Sequence, residues 1–166
     1  MNEKSGVLIQ NEKQANIAVA KVMRITFLLF TVVYLLNVLG IFVVDMPIMT
    51  LAYVLGTVFL WIPTVLVNLM KKQEPYVKYI LIICAILFVT INASTLGYHV
   101  VILYIYAIAI ASLYFSKKLN VITTILSVVG VSLGQWVCFV MDSVTDHNFP
   151  ASTGWWYTEL FQGRWY

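Results

Sequence analysis

Five long apolar stretches, separated by short polar breaks, fill the chain from Ile25 to Met141. Each stretch is close to the ~20 residues that a helix needs to cross the ~30 Å hydrocarbon core of a bilayer. The pattern therefore predicts an all-α fold, a polytopic transmembrane helix bundle with short loops. We place the five spans at about residues 25–44, 47–70, 76–95, 98–116 and 120–141.

The prolines agree with this placement. Pro47 and Pro75 fall in the first turns of the second and third predicted helices, where the missing N–H leaves no hydrogen bond unmade. Pro63 lies inside the second span, where it predicts a kink and frees the carbonyl of Phe59.

Composition supports a membrane protein. Hydrophobic residues make up 61% of the chain, charged residues make up 10%, and the mean hydropathy is +0.90. A soluble domain has roughly 25% charged residues. We expect the lipid bilayer to be the main partner and expect no nucleic-acid partner, because the basic residues lie at helix ends.

The distribution of Lys and Arg predicts the orientation. If the helices alternate in direction, Arg164 alone among the ten Lys and Arg residues lies on the opposite side from the rest. Basic residues favour the cytoplasmic side. The N-terminus is therefore predicted to be cytoplasmic and the C-terminus external, in a multi-pass protein of the cytoplasmic membrane.

Three segments follow from this topology. Residues 1–24 are predicted to be a partly helical cytoplasmic lead-in that lies against the headgroups. Residues 25–141 form the five-helix transmembrane domain. Residues 142–166 are predicted to be an external interfacial tail, because Trp and Tyr favour the lipid–water boundary. This tail also resembles the approach to a sixth helix. The Trp and Tyr residues of this tail are Trp155, Trp156, Tyr157, Trp165 and Tyr166.

Amide and imidazole groups collect in the outer halves of the predicted spans. A polar group inside lipid needs a neighbouring helix or a watery cavity as its partner. We therefore predict a small cavity, open to the outside, that binds a small-molecule ligand. The alternative is that these groups bond to one another and only stabilise helix packing. The cavity would be lined by Asn37, Asn92, His99 and Gln135, with Tyr98 and Tyr104 near it.

Two ridges of small residues predict close helix packing. Gly130 and Gly134 form a G-x-x-x-G ridge on the fifth helix, and Ala107 and Ala111 form a similar ridge on the fourth. Small side chains let helix backbones approach closely. We expect packing within the chain, and the alternative is the contact face of a homodimer.

Catalytic chemistry has little support in the sequence. The spans hold no His-Glu-x-x-His motif, no paired carboxylates and no Ser or Cys beside a base, which are the usual signs of an active site. Asp142, Asp146 and His147 do not match the spacing of a known metal site. We expect no enzymatic activity, no metal and no cofactor.

The run from His99 to Leu119, which ends Ser-Leu-Tyr-Phe-Ser-Lys-Lys-Leu, resembles the multi-span N-terminal sensory modules of bacterial signalling proteins. Such modules precede methyl-accepting chemotaxis, diguanylate cyclase or histidine kinase output domains. The order of spans is similar over nearly the whole chain. The resemblance implies a sensory input module of a receptor, and it transfers no binding residue.

One departure from these modules concerns the number of crossings. A cytoplasmic output domain requires an even number of crossings from a cytoplasmic N-terminus, and five are predicted. The expectation is either an input module lacking its sixth helix or a free-standing protein. The alternative functions are a small multi-span transporter or permease subunit and a membrane assembly partner.

Overall fold

The computed structural model describes residues 2–41, 44–69, 76–96 and 102–140. These residues form five α-helices and no strand, which confirms the predicted helical bundle for this part of the chain. The helices are α1 (Asn2–Val38), α2 (Met46–Leu69), α3 (Val77–Leu96), α4 (Tyr104–Ser112) and α5 (Lys117–Val140).

Four of the five helices are long and apolar enough to cross a membrane. The spanning segments are Gln10–Val38, Met46–Leu69, Val77–Leu96 and Lys117–Cys138. Helix α4 has only nine residues, which rise about 14 Å at ~1.5 Å per residue. The chain is therefore a multi-pass membrane protein with at least four helices of spanning length.

Helix α3 is the centre of the bundle. It packs against each of the other four helices, and 56% of its spanning segment is buried, against 22–28% for the other three long helices. Val77, Leu81, Ala85 and Val89 follow one another at intervals of four and are almost completely buried. The other long helices expose broad apolar faces, as expected for surfaces that contact lipid.

Helix α1 extends through both the predicted lead-in and most of the first predicted span. Within the predicted lead-in, Ala15, Val19 and Met23 are buried in the bundle. The C-terminal end of α1 lies at Val38 rather than at residue 44, so that boundary of the sequence prediction was wrong.

The cause of the early end of α1 is Gly40. Gly40 has a positive φ of 74°, and the N–H of Ile41 donates to the carbonyl of Leu36 while the N–H of Gly40 donates to that of Asn37. This pattern is a Schellman motif, which ends a helix at a glycine that adopts the left-handed conformation.

Helix α4 is also shorter than the span predicted at 98–116. A turn at residues 113–115 follows it, and Phe115, at the end of this turn, has a φ of 50°. Residues 97–101, at the start of the predicted span, lie outside the described part of the chain. By contrast, α2 continues through Pro63, which is buried inside the helix.

Candidate functional site

Asn37 closes the outer connection between α1 and α2. Its Nδ2 donates to the carbonyl of Val44 at 3.1 Å, and its Oδ1 accepts a hydrogen bond from the N–H of Val44 at 3.0 Å. Nδ2 also lies 3.3 Å from the sulfur of Met46. Both ends of this buried amide are thus used to hold the connecting segment, which we call the Asn37 clamp.

Asn92 bonds to its own helix. It is 1% exposed, and its Nδ2 donates to the carbonyl of Phe88 at 2.8 Å. Among the described residues, no hydrogen bond joins Asn92 to Asn37 or to Gln135. The buried amides therefore find partners locally, without forming a shared network.

The fold places Asn37 and Gln135 at one end of the bundle but on different sides of α3. Asn37 belongs to α1 and Gln135 to α5, and α3 packs between these two helices. Gln135 and Tyr104 are half-buried. His99 and Tyr98 lie outside the described residues, so their contribution to a cavity stays a prediction.

The glycine ridge of α5 packs within the chain. A Cβ on Gly130 would lie 2.5 Å from Thr90 Oγ1, and one on Gly134 would lie 2.7 Å from the carbonyl oxygen of Thr90 and 2.9 Å from Ala93 Cβ. Only glycine permits this approach of α5 to α3. On α4, Ala107 and Ala111 are fully buried in the same core.

A set of polar contacts at the other end of the bundle was not predicted from the sequence. Lys78 Nζ lies 2.6 Å from Glu12 Oε1, joining α3 to α1. The hydroxyl of Tyr114 donates to Asn16 Oδ1 at 2.6 Å, joining the turn after α4 to α1. We call these two contacts the inner polar layer, after the orientation that the Lys and Arg residues predict. The opposite charges of Glu12 and Lys78 near predicted helix ends were an available signal for the first, whereas no sequence pattern indicated the second.

Aromatic rings fill the space between the inner polar layer and the Asn37 clamp. Tyr34 and Tyr53 stack with ring centroids 4.4 Å apart, and Phe30 meets Phe88 edge-on at 5.5 Å. The hydroxyls of Thr31 and Tyr53 lie 3.0 Å apart. Rings packed at these distances bind α1, α2 and α3 together.

Within the described part of the chain, three hydroxyl groups on α2 and α5 are buried and have no hydrogen-bond partner. Thr57 and Thr64 carry them on α2, and Ser127 carries one on α5. Ser127 is 2% exposed and Thr64 is 6% exposed. A buried hydroxyl that makes no hydrogen bond costs about 1–3 kcal/mol, so these positions are not optimised for stability alone.

The described residues hold no group of three or more His, Cys, Asp or Glu that could bind a metal ion. A scan against protein-family models, a search of curated proteins and a search of solved structures each found no match to this chain. The functional assignment therefore depends on the geometry of the bundle and on the sequence resemblance.

Proposed function

We propose that this chain is the membrane-embedded sensory input module of a bacterial signal-transduction receptor, which responds from the outer side to a small ligand or to the state of the membrane. The observation that supports it best is the continuity of α1. One helix reaches from the Asn37 clamp to the inner polar layer, where Glu12 and Asn16 contact Lys78 and Tyr114.

This arrangement can transmit a displacement across the membrane. A ligand that moves the segment beside Val44 pulls on Asn37, and a continuous helix carries the movement to its other end. Small shifts of packed helices commonly exchange one set of end contacts for another. The inner polar layer consists of a few polar contacts. Its open and closed forms would be the two states, and a ligand would shift the equilibrium between them.

Five crossings with a cytoplasmic N-terminus are part of this proposal. Helix α3 ends at Leu96, in the outer half with Asn92, whereas Tyr114 contacts Asn16 at the inner end. These positions support a further crossing of the bundle between Leu96 and Tyr114. The basic residues Lys13, Lys78 and Lys117 all lie at that inner end, which the positive-inside rule assigns to the cytoplasm.

A thermal-shift screen tests the sensory role. The detergent-solubilised chain is screened against small metabolites and metal ions, because a ligand at 100 times its Kd stabilises the folded state by about 2.7 kcal/mol. The double variant H99A/Q135A is expected to lose the shift, while N68A, at an exposed inner position, keeps it. A shift that H99A/Q135A retains would reject the proposed cavity, and a panel without any shift would count against a small ligand.

The rival function is transport, and one observation favours it. Thr57 and Thr64 bury unpartnered hydroxyls on α2, near the carbonyl of Phe59 that Pro63 leaves without its helical donor. Transporters place exposed backbone and polar groups of this kind along a substrate path. Uptake of the screened ligand into liposomes that contain the chain would support transport and contradict the sensory role.

A further inference from the structure

The packing of α1 sets its depth in the membrane. The turn that holds Tyr114 lies beside Asn16 and is followed at once by Lys117 and Lys118. From Asn16 to Asn37 a helix rises about 32 Å at ~1.5 Å per residue. This matches the ~30 Å hydrocarbon core, so the inner boundary of the membrane crosses α1 near Asn16, well before Ile25.

The pairing of α1 with α2 places the inner membrane boundary at a similar level on α1. Tyr34 pairs with Thr50, Thr31 with Tyr53, and Phe27 with Trp61, as expected for antiparallel neighbours. Continued at one residue per residue, these pairs place the last residue of α2, Leu69, opposite residues 15 to 19 of α1, a range that includes Asn16. The spanning length of α2 is therefore matched by the part of α1 that follows Asn16.

Two basic residues fall inside this depth. Lys21 lies about 8 Å and Arg24 about 12 Å beyond the level of Asn16 at ~1.5 Å per residue. Both side chains are exposed on the face of α1 that points away from the bundle, in one stripe with Ile17 and Leu28. In the described part of the chain, neither has an acidic group within ion-pair distance, since the ion pair there joins Glu12 to Lys78.

The direction of these side chains identifies what they can reach. Side chains on a helix lean toward its N-terminus, which for α1 is the inner end of the bundle. Long basic side chains in lipid extend in this way to place their charge at the boundary. The ammonium of Lys21 and the guanidinium of Arg24, one turn apart, thus approach the level of the lipid phosphates from within the span.

We propose that Lys21 and Arg24 form a binding site for the phosphate of an anionic phospholipid in the inner leaflet. Charge complementarity supports this occupant, because the two cations are exposed, are close together and lie at headgroup reach. The acyl chains of the same lipid would lie along Ile25, Leu28 and Leu29, which are 50–63% exposed on the next turns of α1.

Native mass spectrometry of the full chain tests this site. The wild type is titrated with phosphatidylglycerol and with phosphatidylcholine, and the affinity of the first bound lipid is measured for each. Each basic residue near an anionic surface contributes about 1 kcal/mol, a factor of about five. The double variant K21Q/R24Q is expected to reduce the preference for phosphatidylglycerol about 25-fold, and each single variant about fivefold.

The matched control is K117Q/K118Q, which removes two exposed lysines in the first turn of α5, at the end of that span. It is expected to leave the affinity of the first phosphatidylglycerol unchanged. An equal loss in both double variants would overturn the proposal, because it would mean that basic charge acts diffusely. An unchanged lipid preference in K21Q/R24Q, with an altered oligomeric state, would overturn it in favour of a contact with a second copy.

Discussion

The hydroxyl of Tyr114 donates a hydrogen bond to Asn16 Oδ1 over 2.6 Å, although the two residues are 98 positions apart in the chain. This contact joins the turn after α4 to the N-terminal half of α1. It thereby brings the lysine pair at the start of α5 close to the level of Asn16.

Replacing Tyr114 with phenylalanine should loosen this end of the bundle. The Y114F variant removes one hydrogen bond and leaves the half-buried ring in place, and polar contacts between membrane helices contribute about 0.6 kcal/mol on average. We expect a small but measurable fall in unfolding free energy in detergent. Y76F, at an exposed tyrosine, is the control, and an equal change in both variants would contradict a specific role for the contact.

Removing the Asn37 clamp should have a larger effect. In N37A the N–H and carbonyl of Val44 both lose their partner, and an unsatisfied buried polar group costs about 1–3 kcal/mol. We expect a clear fall in melting temperature, measured by thermal unfolding of the solubilised chain. N68A, at the exposed inner end of α2, should melt as the wild type does; a normal melting temperature for N37A would show that water replaces the clamp.

The helices were predictable from the sequence because lipid leaves the backbone no other choice. Within hydrocarbon every N–H and C=O must bond inside its own segment, so long apolar stretches such as Met46–Leu69 form helices whatever surrounds them. The break at Ser116 was visible for the same reason, since polar residues end the apolar stretch there.

The limits of α1 were not predictable by this reasoning. Hydropathy places the start of the span at Ile25, because Lys21 and Arg24 interrupt the apolar pattern. The structure buries Val19 and Met23 on the opposite face of the same turns, and only the packing of α3 and α4 identifies that face. Likewise, the effect of Gly40 depends on its positive φ, which composition does not show.

The candidate cavity was predicted from the depth of polar residues alone. Depth placed Asn37 and Asn92 inside the predicted spans as lining of an open cavity, and the structure buries both side chains. It could not show that each amide bonds to a backbone group nearby, because that depends on the side-chain rotamer and on the path of the connecting segment. The glycine ridge was easier to interpret, since a small-residue pattern states directly that another backbone comes close.

The two glycines of the ridge should respond differently to alanine. In G134A the new Cβ meets a backbone carbonyl of α3, which cannot move away, whereas in G130A it meets the hydroxyl of Thr90, which can rotate. Overpacking costs about 1–3 kcal/mol, so we expect G134A to destabilise the monomer more than G130A. S132A, exposed on the same helix, is the control. An unchanged melting temperature with loss of a dimer would assign the ridge to a homodimer face.

The number of crossings can be determined by accessibility labelling in intact cells. Five crossings place Phe115 and Lys118 on the same side as the N-terminus, and the outer connection at Ile41 on the other. Single cysteines at 41 and 115, in a background without Cys84 and Cys138, should therefore react with an impermeant thiol reagent from opposite sides. Labelling of both from the same side would contradict the proposed path of the chain between α3 and α5.

The depth of α1 gives the most direct test of its position in the membrane. Ile17 and Ile25 are both exposed, at 47% and 50%, and are separated by a rise of about 12 Å at ~1.5 Å per residue. Spin labels are attached at these two positions and the chain is placed in liposomes. The accessibility of each label to oxygen and to a water-soluble nickel complex reports its depth, because the concentrations of the two reagents change in opposite directions across the membrane. If the boundary lies near Asn16, the label at 17 lies at the headgroups and the label at 25 lies about 12 Å deeper, largely hidden from nickel. A label at 25 as accessible to nickel as one at Phe115 would place the start of the span where hydropathy alone puts it, and Lys21 and Arg24 would then lie in water.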